Sequence, residues 1–385
     1  MRQVAVIGIG QTPVGEHWEK SIRELAGEAI FKALSDANRL SVDGLFIGNM
    51  LSGMLSRQEN LGALVADWIG LPGIEAYKIE TACSSGAAAF RAGLLAVSSG
   101  QLDSALVVGV EKMTESLPIE TTEALATAAD ADYEAAQGLS FVAINALVMQ
   151  RYLHTYSWKH TDFGPFSINA HANAMHNPYA RLHEEISEKE YHNARMIAAP
   201  INLLDASPIG DGAAALILTA VDKNSTSTRS QITVAGCASA IDSIAVHSRR
   251  DPLWLSAAAK SASLAYKQAS LTPKEINLFE LHDAFSIMSA LSLEACGFAE
   301  RGQGPRLALE GDILLTGKIP ITTRGGLKAR GHPVGATGVY QILEVVQQLR
   351  EECGPTQVDG ARIGMAQNIG GSGATIITTI LTKNS

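Results

Sequence analysis

Three short stretches carry residues able to form a covalent bond or move a proton. In YKIETACSSGAAAFRAG (77–93) a lone cysteine, Cys83, ends an extended apolar run and precedes a helix opened by Ser, Ser and Gly. A thiol at a helix N-terminus meets oriented N–H groups and the positive end of the dipole, which favour thiolate. In FELHDAF (279–285), His282 and Asp283 follow a strand and open a helix. The carboxyl end of a strand is where open α/β sheets place their ligands. In RGGLKARGHPVGATGVY (324–340), His332 and Pro333 sit among Gly331, Gly335 and Gly338, in what reads as an exposed turn entering a helix. Glycines there permit close approach by a ligand, and Arg324, Lys328 and Arg330 could meet an anionic one. One cysteine and two histidines at such turns can make a Cys–His pair plus a second imidazole for an oxyanion or a proton.

Each stretch also has a blander account. A free buried cysteine is most often inert packing. Asp283 could cap a helix, with His282 incidental. As a phosphate loop the third stretch is weak, because the chain lacks GxxxxGK[ST], and GIGQTP near residue 8 lacks the third glycine of a dinucleotide fingerprint. Taken together the three turns outweigh these accounts. Six other histidines (His154, His160, His171, His176, His183 and His192) show no HxxxH spacing with a carboxylate on one face, so they read as solvated surface and no metal site is expected.

Alternating strand and helix signals position these turns. QVAVIGIG is a buried strand, and the next helix puts Ile22, Leu25, Ala26, Ala29, Ile30, Ala33 and Leu34 on one stripe behind a Ser21/Glu24 capping box. GLFIGNM, YKIETA and SALVVGVEKM read as strands, with helices over NLGALVADWIG and SSGAAAFRAGLLAVSSG. That order predicts a mostly parallel, helix-covered sheet. From about 115 to 207 the chain is more polar and reads as an inserted subdomain. DGAAALILTAV then returns to a buried strand, and a second alternating half follows to the C-terminus. The two halves share element order but not letters, as an ancient duplication would.

The 385 residues are 46% hydrophobic and 18% charged, enough apolar material for a large core or a subunit interface. A net charge of −9 without a basic stripe argues against nucleic-acid binding. No run approaches the length of a membrane span, and the N-terminus lacks the apolar core of a signal peptide. Cys83, Cys237, Cys296 and Cys353 form no CxxC spacing, which excludes a zinc or disulfide framework and fits a cytoplasmic setting.

The ordered set VAVIGIGQTPVGEHW, ETACSSGAAAFRAG, DASPIGDGAAALIL, LHDAF, GGLKARGHPVGATG and NIGGSGA resembles the thiolase superfamily over nearly the whole chain. It is most similar to the archaeal and bacterial acetyl-CoA acetyltransferase and sterol-carrier-protein thiolase type, which carries HDxF in place of NEAF. The resemblance implies an α/β fold of two βαβαβαββ halves in a five-layered α-β-α-β-α arrangement. Residues 1–115 with 208–222 would form the N-terminal half, 116–207 a loop domain, and 223–385 the C-terminal half. It implies acyl-CoA C-acyl transfer by a ping-pong route through acyl-Cys83, with no cofactor beyond coenzyme A as substrate and product. His332 would take the thiol proton, and His282 would share an oxyanion site with it. The amides of Cys83 and Gly370 would form a second oxyanion hole. Ser207 and Ile209 would line the pantetheine channel, and Phe285 the acyl pocket. The partners implied are acyl-CoA and CoA, a second copy in a homodimer or dimer of dimers, and in some relatives a zinc-ribbon/OB-fold accessory protein.

The pattern departs from the family at one place. Typical thiolases remove the α-proton with a second cysteine in a CxGGG turn, and HDCF relatives offer one elsewhere. Here those positions are Asn368 and Ala284, neither of which can act as a base. The remaining Cys–His–His set resembles decarboxylating ketoacyl synthases. Two alternatives therefore stand beside thiolysis: decarboxylating or other C-acyl transfer, and an acyl-CoA-binding subunit of a complex with impaired turnover.

Overall fold

The computed structural model describes residues 2–221 and 231–384. The expected boundary between the halves, at 222/223, lies outside the described residues. The first half runs β1 (Val4–Gln11), α1 (Ile22–Asp36), β2 (Gly44–Gly48), α2 (Leu61–Trp68), β3 (Glu75–Ile79), α3 (Ser85–Ser99) and β4 (Ser104–Glu111). An insertion follows: α4 (Pro118–Ala126), α5 (Phe141–Tyr156), α6 (Gly164–Ala174), α7 (Glu188–Asn193) and the hairpin β5 (Met196–Ala198) and β6 (Ile201–Asn202). β7 (Gly212–Ala220) returns beside β4 and closes the half. The second half comprises β8 (Ile232–Ile241), α8 (Ser256–Ala269), β9 (Leu278–Glu280), α9 (Ser286–Ala295), α10 (Gly304–Leu309), α11 (Thr337–Leu349), β10 (Ile363–Gly370) and β11 (Thr375–Lys383).

Strand order carries the duplication that the letters hide. The sheet reads β3-β2-β4-β7-β1-β8-β11-β10-β9. In the first half β2 is parallel to β3 and β4, whereas β7 is antiparallel to both β4 and β1. In the second, β9 is parallel to β10, and β11 is antiparallel to both β10 and β8. The counterpart of β3 has shrunk to one parallel bridge between Phe279 and Ile321. With that bridge in the place of its third strand, the second half follows the βαβαβαββ order. The two half-sheets are also continuous, joined by a two-residue β1–β8 pairing at Ala5/Thr233 and Val6/Ile232.

Side-chain alternation along the strands builds the layers. Leu45, Ile47, Leu106, Val108 and Ile217 face α1 and α2, and the α1 stripe and its Ser21/Glu24 capping box form as the sequence predicts. Phe46, Ala105, Val107, Leu216 and Leu218 face the other way, onto α3 and α11. The same central helices meet Cys237, Leu278, Ala366, Ile377 and Leu381 of the second half-sheet, whose opposite face (Phe279, Met365, Ile376, Ile380) packs on α8 and α9. Helices therefore lie outside, between and outside the two half-sheets, which is the five-layered arrangement. Both faces of each half-sheet are covered, so β4 is buried along all eight residues.

α3 and α11 cross at glycines. A β-carbon on Gly86 would lie 2.9 Å from the Gly335 carbonyl oxygen and from the Val339 nitrogen, and one on Gly338 would lie 2.4 Å from the Ala87 nitrogen. Gly338→Ala should therefore force the helices apart and cost about 1–3 kcal/mol, as overpacking does. The check is the urea midpoint, and an unchanged midpoint would show that the crossing yields freely.

Candidate active site

The crossing brings the N-terminus of α3 against the start of α11, and with it two of the three turns. Cys83 lies two residues before α3 on a tight corner, where Ala82 takes the left-handed φ of 53°. Only tertiary contacts hold a residue with a β-carbon there. The thiol sits in a small apolar cluster with Leu51, Met113, Ala124 and Val334, the last being two residues beyond His332. The end of β10 packs on the same corner. A β-carbon on Gly370 would meet the Thr81 carbonyl oxygen at 2.4 Å and Ser84 Oγ at 2.7 Å. Two amides act on the sulfur, Cys83's own and that of the next residue, Gly371, which the sequence did not single out.

The thiol is not acidified as its place near a helix start suggests. Burial pushes Cys83 up to about 12; the Gly371 N–H opposes the shift, and the Glu111 carboxylate adds to it. Desolvation outweighs the dipole because the sulfur lies before the helix, 8% exposed in apolar surroundings. A raised pKa means little thiolate at neutral pH, with more as pH climbs. Alkylation of Cys83 by iodoacetamide should thus rise about tenfold per pH unit through pH 9. A plateau near pH 7 would mean that an ion pair preforms.

The two histidines meet. Their ring centroids are 5.1 Å apart at an interplanar angle of 86°. Burial pushes His332 down to about 3, with the Arg330 charge adding to it. His282 is lowered well below its ordinary value by burial, then by His332 and Arg330. Both shifts favour the neutral imidazole. His332 Nδ1 lies 2.7 Å from Thr337 Oγ1, whose own proton goes to the Pro333 carbonyl. Nδ1–H is therefore the donor, which leaves Nε2 with a free lone pair.

The sequence-predicted channel residues run between the histidine turns. Ser207 N–H donates to the Ala284 carbonyl, and Ala206 bridges Phe285. Ile209 bridges His332, whose N–H donates to the Pro208 carbonyl. Ser207 is half-buried and Ile209 exposed, while half-buried Phe285 packs on the α8–α9 core.

Several expectations fail on burial. The 324–340 stretch is not an exposed turn; every residue in it is buried. Arg324, Lys328 and Arg330 are buried, and the two arginines are already engaged. Arg330 pairs with Glu344 at 3.0 Å under the Tyr340 ring, and Arg324 donates to Cys353 O, Thr356 Oγ1 and Asn177 Oδ1. Asp283 does not cap α9. Its carboxylate accepts the Leu327 and Lys328 N–H groups, tying the His282 turn to the wide turn Gly326–Arg330 before His332. Of the six midchain histidines, His154, His176, His183 and His192 are exposed. His171 is fully buried, and His160 bonds Asp205, which also accepts from Tyr191 and Ser286. Among the described residues no three metal-ligating side chains converge.

Two anchoring carboxylates escaped the sequence reading. Glu111 accepts N–H groups from Met50, Leu51 and Gly335 and from Asn49 Nδ2, linking the Cys83 and His332 neighbourhoods. Asp211 accepts from the N–H groups of His17, Met113 and Thr114. The available signal was a charged residue closing a fully apolar strand, as Glu111 does in SALVVGVE. The other thiols lie elsewhere. Cys296 Sγ accepts from Gln367 at 3.1 Å, Cys237 Sγ from Thr379, and Cys353 sits by Arg324.

Two family descriptions match: "Thiolase, N-terminal domain" over residues 4–222 and "Thiolase C-terminal domain-like" over 238–383. The acetyl-CoA acetyltransferase of Methanothermobacter thermautotrophicus is 43% identical over 385 residues, covering 100% of both chains. That of Methanocaldococcus jannaschii is 36% identical over 99% of each. Among solved structures, one titled Ltp2-ChsH2(DUF35) aldolase superposes with a TM-score of 0.83 at 21% identity, covering 99% of this chain and 98% of that one.

Proposed function

This chain belongs to the thiolase family, and from that membership we propose an acyl-CoA C-acyltransferase of acetyl-CoA acetyltransferase type that turns over through an acyl-Cys83 thioester. What supports the reading is a thiol clustered with Val334, two residues beyond His332, with the Gly371 and Cys83 N–H groups at its sulfur, and two imidazoles in edge contact. Cys83 attacks the thioester carbonyl as His332 Nε2 takes its proton, so no free thiolate need accumulate. The carbonyl oxygen, charged in the tetrahedral intermediate, meets backbone N–H groups of the Cys83 corner and of the β10 end at Gly370–Gly371. Such donors contribute about 3–4 kcal/mol each where one has been removed. The CoA thiolate leaves. In the second half-reaction His282 and His332 hold the incoming thioester oxygen. Ser207 and Ile209 line the way in, and Phe285 borders the acyl group.

Incubating the protein with acetyl-CoA and weighing it tests this directly. An acetyl adduct on the Cys83 peptide, with thiolysis of acetoacetyl-CoA by free CoA, is the expected result. An unmodified protein would sink the proposal.

A second reading has its own observation: Cys237, Cys296 and Cys353 are all engaged away from the site, so no second thiol stands in for Asn368 and Ala284. Carbon–carbon bond formation would then begin from decarboxylation. Release of CO₂ from malonyl-CoA, dependent on His282 and His332, would favour it. As partners we propose acyl-CoA, a second copy of the chain, and a zinc-ribbon/OB-fold accessory protein. Inertness alone with recovery on adding a co-purified partner would support the last.

A further inference from the structure

The position where related enzymes keep a second cysteine is not empty of consequence here. Asn368 lies on β10, with its side chain between His282 and the α3–α11 crossing. Its Nδ2 is 3.1 Å from His282 Nδ1. An amide nitrogen only donates, so the ring nitrogen facing it must be the lone-pair one. The other end of the amide supports this orientation. Oδ1 is buried and points at Gly338, where a β-carbon would lie 2.2 Å from Oδ1 and 2.4 Å from the Ala87 nitrogen. Ala87 is in the first turn of α3, whose N–H groups have no acceptor inside the helix. Oδ1 accepts no hydrogen bond, but it lies beside the positive start of α3, where a flipped amide would set its N–H groups.

We propose that Asn368 is a positioning residue that fixes His282 as its Nε2–H tautomer, making it a hydrogen-bond donor and leaving His332 Nε2 as the one imidazole base of the site. A second cysteine could share the base role; an amide removes it from both places at once. It cannot take a proton itself, and it occupies the nitrogen through which His282 would be recharged. The titratable and charged groups acting on His282 are His332 and Arg330, and both disfavour an imidazolium. The division of labour follows from two bonds of opposite sense. Thr337 accepts from His332 Nδ1, whereas Asn368 donates to His282 Nδ1. The catalytic meaning of this rests on the acyltransferase reading above, but the tautomer does not.

Two-bond ¹H–¹⁵N correlation spectra of the ¹⁵N-histidine-labelled resting protein test the tautomer without substrate. His282 signals, assigned by their loss in His282→Gln, should show a protonated Nε2 and bare Nδ1, with His332 the reverse. A protonated Nδ1 on His282 in the wild-type protein would overturn the proposal. Asn368→Asp supplies an acceptor in place of the donor. It should switch His282 to Nδ1–H and introduce a new ionisation into the pH profile of thiolysis. Its kcat should fall about 10–100-fold, as loss of a partner that orients an active-site ring does. Acetylation of Cys83 by acetyl-CoA should persist. Asn368→Asp with an unchanged tautomer and pH profile would equally defeat it. Absent acetylation of the wild-type protein would defeat the acyltransferase reading instead, and leave the tautomer result standing.

Discussion

Cys83→Ala should abolish acetyl loading and lower thiolysis by more than about 10⁴-fold, as removal of a covalent nucleophile does elsewhere. The structure makes this loss clean. The sulfur sits among Leu51, Met113, Ala124 and Val334, so truncation leaves a small apolar void and costs stability only about 1 kcal/mol. CoA affinity should therefore hold within a few fold while turnover disappears, and calorimetry against stopped assays separates the two. Cys83→Ser should fare almost as badly. Its hydroxyl is harder to ionise than a thiol already pushed up to about 12, and a neutral imidazole is too weak a base to compensate. A serine variant with substantial turnover would mean that acylation does not pass through this atom.

His332→Gln should cost about 10²–10⁴-fold in thiolysis, the usual range for a positioned base. Glutamine keeps polarity and approximate size but cannot receive a proton, so the buried turn survives while proton transfer fails. The two-step contact chain explains why this ring is the base. Thr337 gives its proton to Pro333 O and must accept from Nδ1, which leaves Nε2 for the substrate side. Thr337→Val should reproduce part of the effect, about tenfold, by releasing the tautomer without touching the ring. Single-turnover acetylation by acetyl-CoA, followed by mass, distinguishes the steps. Loss at Thr337→Val equal to that at His332→Gln would show that the hydroxyl itself, not the imidazole, relays the proton.

Much of the architecture could be read from letters alone, because it depends on local periodicity. The α1 stripe and the mostly apolar β4 and β7 follow from spacing that neighbours in the chain dictate. The identities of Cys83, His282 and His332 were legible for a related reason: each ends or begins an element whose boundary is itself a local signal.

What stayed hidden depends on how deep each group ends up and which way its hydrogen bonds run. Local spacing puts three basic side chains in a glycine-rich turn; only packing of that turn against α6 of the insertion buries them and sets Arg330 on Glu344. Position near a helix start argues for an acidic thiol; the apolar cluster around it decides the opposite, since desolvation is set by Leu51, Met113, Ala124 and Val334, which no local window contains. The letters likewise show Asn368 as a missing base, while its bond to His282 emerges only when β10 and the 279–285 turn meet. Residue types and their order along the chain determined which groups were available. Burial and hydrogen-bond polarity, which are properties of the assembled neighbourhood, decided what each of them is able to do.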